Sequence, residues 1–249
     1  MERKYNPISR NKAVGIILCI MALIGFFIVI YRIAAYQFEY DAQFTPVDYG
    51  AFNVLSYFTI QSNFACCCYF LICALAIFGN KGAEKIAFNP NVRLLLTLYV
   101  IVAGLTYNAG FPLKMTQPWT FDTTWHAFIS FLQIYFHIVM PIAVILLLIF
   151  PFTNERVTKK AVLLSGIYPL AYSIFSMIRG PLVTPTYYPY PFYNPEFIWT
   201  TFMKDKPLNM AGAYGLIAVL LVFGISLFIG ICAIIALVHN KRVKTKITA

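Results

Sequence analysis

Two residues of this 249-residue chain set the chemistry open to it: an alcohol, Thr59, and an imidazole, His137, each inside a long apolar run. An alcohol beside an imidazole is the minimum equipment for nucleophilic acyl transfer. The ring takes the hydroxyl proton as the oxygen attacks an ester carbonyl, then returns it to the leaving alcohol. Thr59 belongs to Ser56–Asn63, Ser-Tyr-Phe-Thr-Ile-Gln-Ser-Asn, a stretch of hydroxyl and amide side chains without a charge. Read as one helix, it puts Ser56, Thr59 and Asn63 on a single face, with Ser62 beside them and Gln61 pointing elsewhere. The same cluster also fits a packing seam, in which Ser and Thr bond back to their own helix and Asn63 joins two helices. His137 has Gln133 one turn before it on the same face and Pro141 one turn after, which removes a backbone donor and permits a kink. A buried imidazole is either functional or a neutral ring bonded to a helix neighbour. A tetrahedral oxyanion needs donors, and Asn63, Ser62 and Asn108 are the candidates. Asn108 either reaches a cavity among helix ends or caps its own helix. No carboxylate in these runs could orient the ring, which leaves Gln133 for that role.

The elements that must hold these residues are membrane spans. A hydrophobic fraction of 60%, a mean hydropathy of +0.73 and only 11% charged residues describe an integral membrane protein. Six apolar runs, about 13–35, 52–78, 92–112, 127–150, 161–178 and 210–238, approach or exceed the ~20 residues that cross a bilayer. The expected fold is therefore all-α, six transmembrane helices in one bundle forming a single domain. Of 19 basic residues, 14 fall in the two chain ends and the second-to-third and fourth-to-fifth connections. This asymmetry places both termini in the cytoplasm and explains the net charge of +10 without nucleic acid as a partner. The first span reads as a retained signal-anchor, with Arg32 snorkelling outward. Thr59 then lies ~10 Å and His137 ~15 Å below the outer ends of their spans. Lys114 and Arg179 fall at the outer interface, where Arg179 is a snorkelling anchor or an anion site. A lipid carboxylate held by Arg179 and Lys114 would place an ester deeper in the membrane. The outer segment 180–209 is rich in proline and aromatic residues, which suits an ordered lid. The six cysteines all lie in spans. Cys66, Cys67 and Cys68 point three ways from one helix, which suits packing and not a metal site. No motif calls for a cofactor.

At these residues the chain resembles a family. Tyr57-Phe58-Thr59, His137-Ile138-Val139-Met140-Pro141 and Tyr188-Pro189-Tyr190-Pro191-Phe192 are similar to segments of the androgen-induced protein and androgen-dependent TFPI-regulating protein family. Its bacterial members are the closer match, in Phe58-Thr59-Ile60-Gln61-Ser62-Asn63 and in Arg179-Gly180 before the Tyr-Pro segment. The resemblance implies an intramembrane hydrolase of fatty acid esters of hydroxy fatty acids, in a bacterial plasma membrane, with Thr59 as nucleophile and His137 as base. The chain departs from the animal pattern in Gln61-Ser62-Asn63 and in its longer outer segment. The alternatives are a non-catalytic lipid-binding or regulatory membrane protein and, after it, a small-solute transporter. A transporter is disfavoured by the lack of a buried Asp or Glu and of an internal repeat.

Overall fold

Four spans begin where the sequence supplies a capping side chain or a proline: at Asn11, Pro90, Thr123 and Asn209. The computed structural model describes residues 5–35, 50–110, 119–183, 186–204 and 206–248, with backbone alone at 110 and 244–248. Helix α1 (Lys12–Ala34) starts at Asn11, whose side chain accepts from the N–H groups of Ala13 and Val14. After a 3-10 turn over Ala51–Ser56 comes α2 (Phe58–Ile77), then short α3 (Lys81–Ala87), capped by Asn80. Helix α4 (Pro90–Gly110) opens on a proline, which the first turn tolerates because its N–H would have no partner there. Thr123 caps α5 (Thr124–Ile134), which continues through a π-helical turn, Tyr135–Val139, into α6 (Met140–Ile149). Then follow α7 (Lys159–Leu164), α8 (Ile167–Leu182), α9 (Pro195–Met203) and α10 (Met210–Thr248). Among the described residues, six helical stretches are long and apolar enough to cross a membrane: Lys12–Ala34, Phe58–Ile77, Pro90–Ala109, Thr124–Ile149, Lys159–Leu182 and Met210–Val243. Among the described residues there is no strand, only an isolated antiparallel bridge between Tyr5 and Thr153.

Packing divides the chain into two compact units. The first holds α1 to α6 and the end of α10 from Ile235; the second holds α7 to α9 and α10 up to Ile234. In the first unit α2 is the most enclosed span. Helix α1 meets it along a stripe of Gly15, Leu18, Ala22, Gly25 and Val29, whose small members let the backbones approach. A Cβ at Gly15 would press on Ile77 and Phe78, and one at Gly25 would collide with the Cys67 sulfur. Cys66 and Cys67 are fully buried core residues, while Cys68 is half-buried. In the second unit Tyr172, Tyr190, Phe192 and Tyr193 form a ring cluster, and the Ser173 and Tyr193 hydroxyls lie 2.9 Å apart. Burial pushes the Tyr193 hydroxyl up to about 12. The Tyr188 ring lies so close over Gly180 that a Cβ there would collide with it.

Two expectations change. Ser56 does not share a helix face with Thr59: Tyr57 is extended (φ −83°, ψ 130°), so α2 begins only at Phe58 and Ser56 stays on the preceding 3-10 turn. Thr59 is thereby the second residue of its helix instead of lying two turns down a span. Arg93, counted by sequence among the basic residues of a connection, is instead buried on the first turn of α4, at 1% exposure.

Candidate functional site

The site starts from two backbone carbonyls that lose their helical donors. Pro141 has no N–H, so the His137 carbonyl goes without its bond from one turn on. In the π turn, the Met140 N–H bonds the Tyr135 carbonyl, five residues back, and not that of Phe136. Two neighbouring carbonyls in an apolar interior therefore need outside donors. Asn63 on α2 donates from Nδ2 to the Phe136 carbonyl at 3.4 Å, and Asn108 on α4 donates from Nδ2 to that of His137 at 3.1 Å. Each amide also holds its own helix, Asn63 to the Thr59 carbonyl at 2.9 Å and Asn108 to that of Gly104 at 2.7 Å. Gly104 makes this approach possible, since a Cβ there would stand 2.6 Å from Pro141 Cγ and 3.0 Å from the His137 carbonyl oxygen.

The π turn aims the His137 ring. It is buried, with Nδ1 2.8 Å from the Gln133 carbonyl oxygen. A carbonyl only accepts, so Nδ1 carries the proton and Nε2 presents the lone pair of a neutral ring. Tyr107 stacks on the imidazole, centroids 3.6 Å apart and planes 15° from parallel. Arg32 on α1 is half-buried, and its charge acts on both Tyr107 and His137.

Thr59 is half-buried at the start of α2. Its carbonyl accepts from Ser62 Oγ (3.2 Å) and Asn63 Nδ2, so the same amide nitrogen touches the main chain of Thr59 and of His137's neighbour. Thr59 and the His137 Nε2 are not hydrogen-bonded to each other; the ring's bond among the described residues is the one from Nδ1. Helix α2 has no side-chain cap, and its Gln61 N–H bonds the Tyr57 carbonyl at 3.1 Å.

The residues named from sequence thus separate. Thr59, Ser62, Asn63, Asn108, Gln133 and His137 all belong to the first unit and are linked by the bonds above. Both N–H groups of the Asn63 and Asn108 amides are committed to carbonyls. Gln133 serves the ring through its backbone, while its half-buried side chain is not tied to a helix carbonyl. Gln61 donates to the Leu55 carbonyl at 2.7 Å, closing the 3-10 turn. Arg179 belongs to the second unit, its guanidinium 5.7 Å from the Tyr187 ring centroid. Lys114 lies outside the described residues. Among the described residues no group of three or more His, Cys, Asp or Glu side chains could hold a metal. Sequence reasoning missed Tyr107 and Gly104 as parts of the site and gave Arg32 only a snorkelling role. The signal for the first two was their spacing with Asn108, one and four residues before it, which puts glycine and amide on one helix face.

No family model, no curated protein and no solved structure matches this chain.

Proposed function

We propose that the chain is a membrane-embedded hydrolase of lipid esters, of the type in which a fatty acid esterifies a hydroxy fatty acid. The observation that carries this reading is the His137 ring, buried within a span with Nδ1 committed to a carbonyl, so that its free nitrogen is the basic one. Thr59 Oγ1 attacks the ester carbonyl carbon and its proton passes to His137 Nε2, directly or through one water once substrate draws the groups together. The oxyanion needs donors other than the Asn63 and Asn108 amides, which are already committed to carbonyls. The leaving hydroxy acid takes the proton from Nε2 as the carbon–oxygen bond breaks. Water then attacks the acyl-threonine, gives its proton to Nε2, and Thr59 recovers it as the fatty acid departs. The resemblance to the androgen-induced-protein family supports the same assignment, as does the membrane character of the chain. On this reading the protein resides in a bacterial plasma membrane with both termini cytoplasmic.

The test is labelling by a fluorophosphonate with an alkyl chain, followed by mapping of the adduct. Labelling of Thr59 in the wild type, lost in Thr59→Ala and in His137→Gln, is the expected result. A folded wild type that takes no label, or takes it elsewhere, would overturn the reading. One observation favours a second reading, a non-catalytic lipid-binding protein: Ser62, Asn63 and Asn108 all turn to main-chain carbonyls, as in a packing seam. Tight binding of an uncleaved ester without labelling would select it.

A further inference from the structure

Arg93 is the fourth residue of α4, about 5 Å along the axis from its start. Its exposure is 1%, and Nε and Nη1 are buried with no hydrogen-bond partner. A guanidinium stays protonated in any protein environment, so it cannot escape burial by becoming neutral. A buried charge without a counter-ion is among the costliest features a fold can carry. The acids among the described residues do not supply one. Glu84 is held by Arg10 at 2.8 Å and Lys81 at 3.5 Å. Asp122 pairs with His126 at 2.8 Å, Glu155 is exposed, and Glu196 is exposed on the first turn of α9. Titratable groups within electrostatic range of Arg93 include Tyr69 and Cys73 on α2 and His239 on α10. Tyr69 donates its hydroxyl to the Ala87 carbonyl at 2.8 Å, and the His239 Nε2 lies 2.9 Å from the Glu155 carbonyl oxygen. None of the three is an anion at neutral pH.

We propose that Arg93 is the centre of an anion site at the end of the first unit that carries both chain ends, and that it takes the phosphate group of an anionic membrane lipid. Depth argues for this occupant: one turn inside a span is where lipid phosphates meet side chains. Charge argues for it too, because exposed Arg10, Lys81, Lys85, Arg156, Lys241 and Arg242 surround this end of the chain. A guanidinium suits phosphate, giving charge-assisted hydrogen bonds that a neutral headgroup contact cannot match. The site is independent of the Thr59–His137 reading.

The experiment uses the full-length protein, extracted in mild detergent for native mass spectrometry and reconstituted into phosphatidylcholine discs with and without phosphatidylglycerol. The wild type and Lys206→Gln, which removes an exposed charge of the second unit, should each retain a phosphatidylglycerol and melt at higher temperature in the discs that contain it. Arg93→Met, which removes a buried charge and keeps the side chain's bulk, should lose the lipid, with affinity lower by about tenfold or more. Equal retention in Arg93→Met would overturn the proposal. So would a wild type whose melting temperature is the same in both discs, a comparison that needs no variant. Equal protection by inorganic phosphate in the pure phosphatidylcholine discs would assign the site to the free ion and overturn the lipid.

Discussion

At Asn63 and Asn108 one side-chain amide holds two carbonyls, so each asparagine carries two interactions that a hydrophobic residue would delete together. Asn63→Leu leaves the Phe136 carbonyl buried without a donor, a cost of about 1–3 kcal/mol in a membrane interior. The expected result is a lower melting temperature, by a similar amount for Asn108→Leu, whose loss strands the His137 carbonyl. If both variants melt with the wild type, these carbonyls find other donors and the two asparagines are not what holds the turn. Arg32 carries a different prediction. Its charge acts on Tyr107 and His137, so it is placed to favour a substrate with a free carboxylate over its methyl ester. Arg32→Gln should raise KM for the free acid by about tenfold and leave KM for the methyl ester nearly unchanged. Equal change on both substrates would remove Arg32 from recognition.

The element that decides the site is the π turn, and it was the least legible from sequence. The six spans could be read directly, because apolar runs of that length have no other stable home. Thr59 and His137 stood out as polar groups within such runs. The register of the turn did not, since it depends on Pro141 withholding one donor while asparagines on two other helices supply replacements. Residue type announced Pro141 and Asn108, but only tertiary packing pairs them. Ser56 was misplaced for a related reason: helical spacing counts through Tyr57, whose extended backbone breaks the count. Pro141→Ala tests the turn. The new N–H can close an ordinary α-helical bond to the His137 carbonyl, so stability should hold within about 1 kcal/mol while the ring is re-aimed and Thr59 labelling falls. Undiminished labelling would show that the turn does not aim the ring. Gly104→Ala acts from the other side. Its methyl meets Pro141 and the His137 carbonyl, and α4 must move away at about 1–3 kcal/mol. A melt equal to wild type would mean that the two helices yield without cost.

Across the whole molecule, the links at one end of the first unit bear on how the chain sits in a membrane. Tyr5 bridges Thr153, the Asn6 side chain donates to the Pro151 carbonyl at 2.7 Å, and Arg10 bonds Glu84 at 2.8 Å. At the other end of the sequence, Asn240 exchanges hydrogen bonds of 2.8 and 2.9 Å with the Val157 backbone. The Arg10 hydrogen bond holds the Glu84 carboxyl below its usual range, aided by the Arg10 and Lys81 charges. A lowered carboxylate stabilises the fold above its unfolded pKa of about 4.3, and that contribution disappears as pH falls through the folded value. The pair lies near the surface, so Glu84→Gln should cost under about 1 kcal/mol near neutrality and nothing once the carboxyl is protonated. A difference that persists in acid would assign the effect to packing. The same links gather the start of the chain, its end and the 150–158 connection together. Six spans also return a chain to the side where it began, and the basic residues cluster in those same segments. Cysteines introduced in turn at Ile8 and Thr248 should therefore behave alike. Both should resist a membrane-impermeant maleimide in intact cells and react after lysis. Reaction of one from outside would require an odd number of crossings, and reaction of both would invert the proposed orientation while leaving the six spans intact.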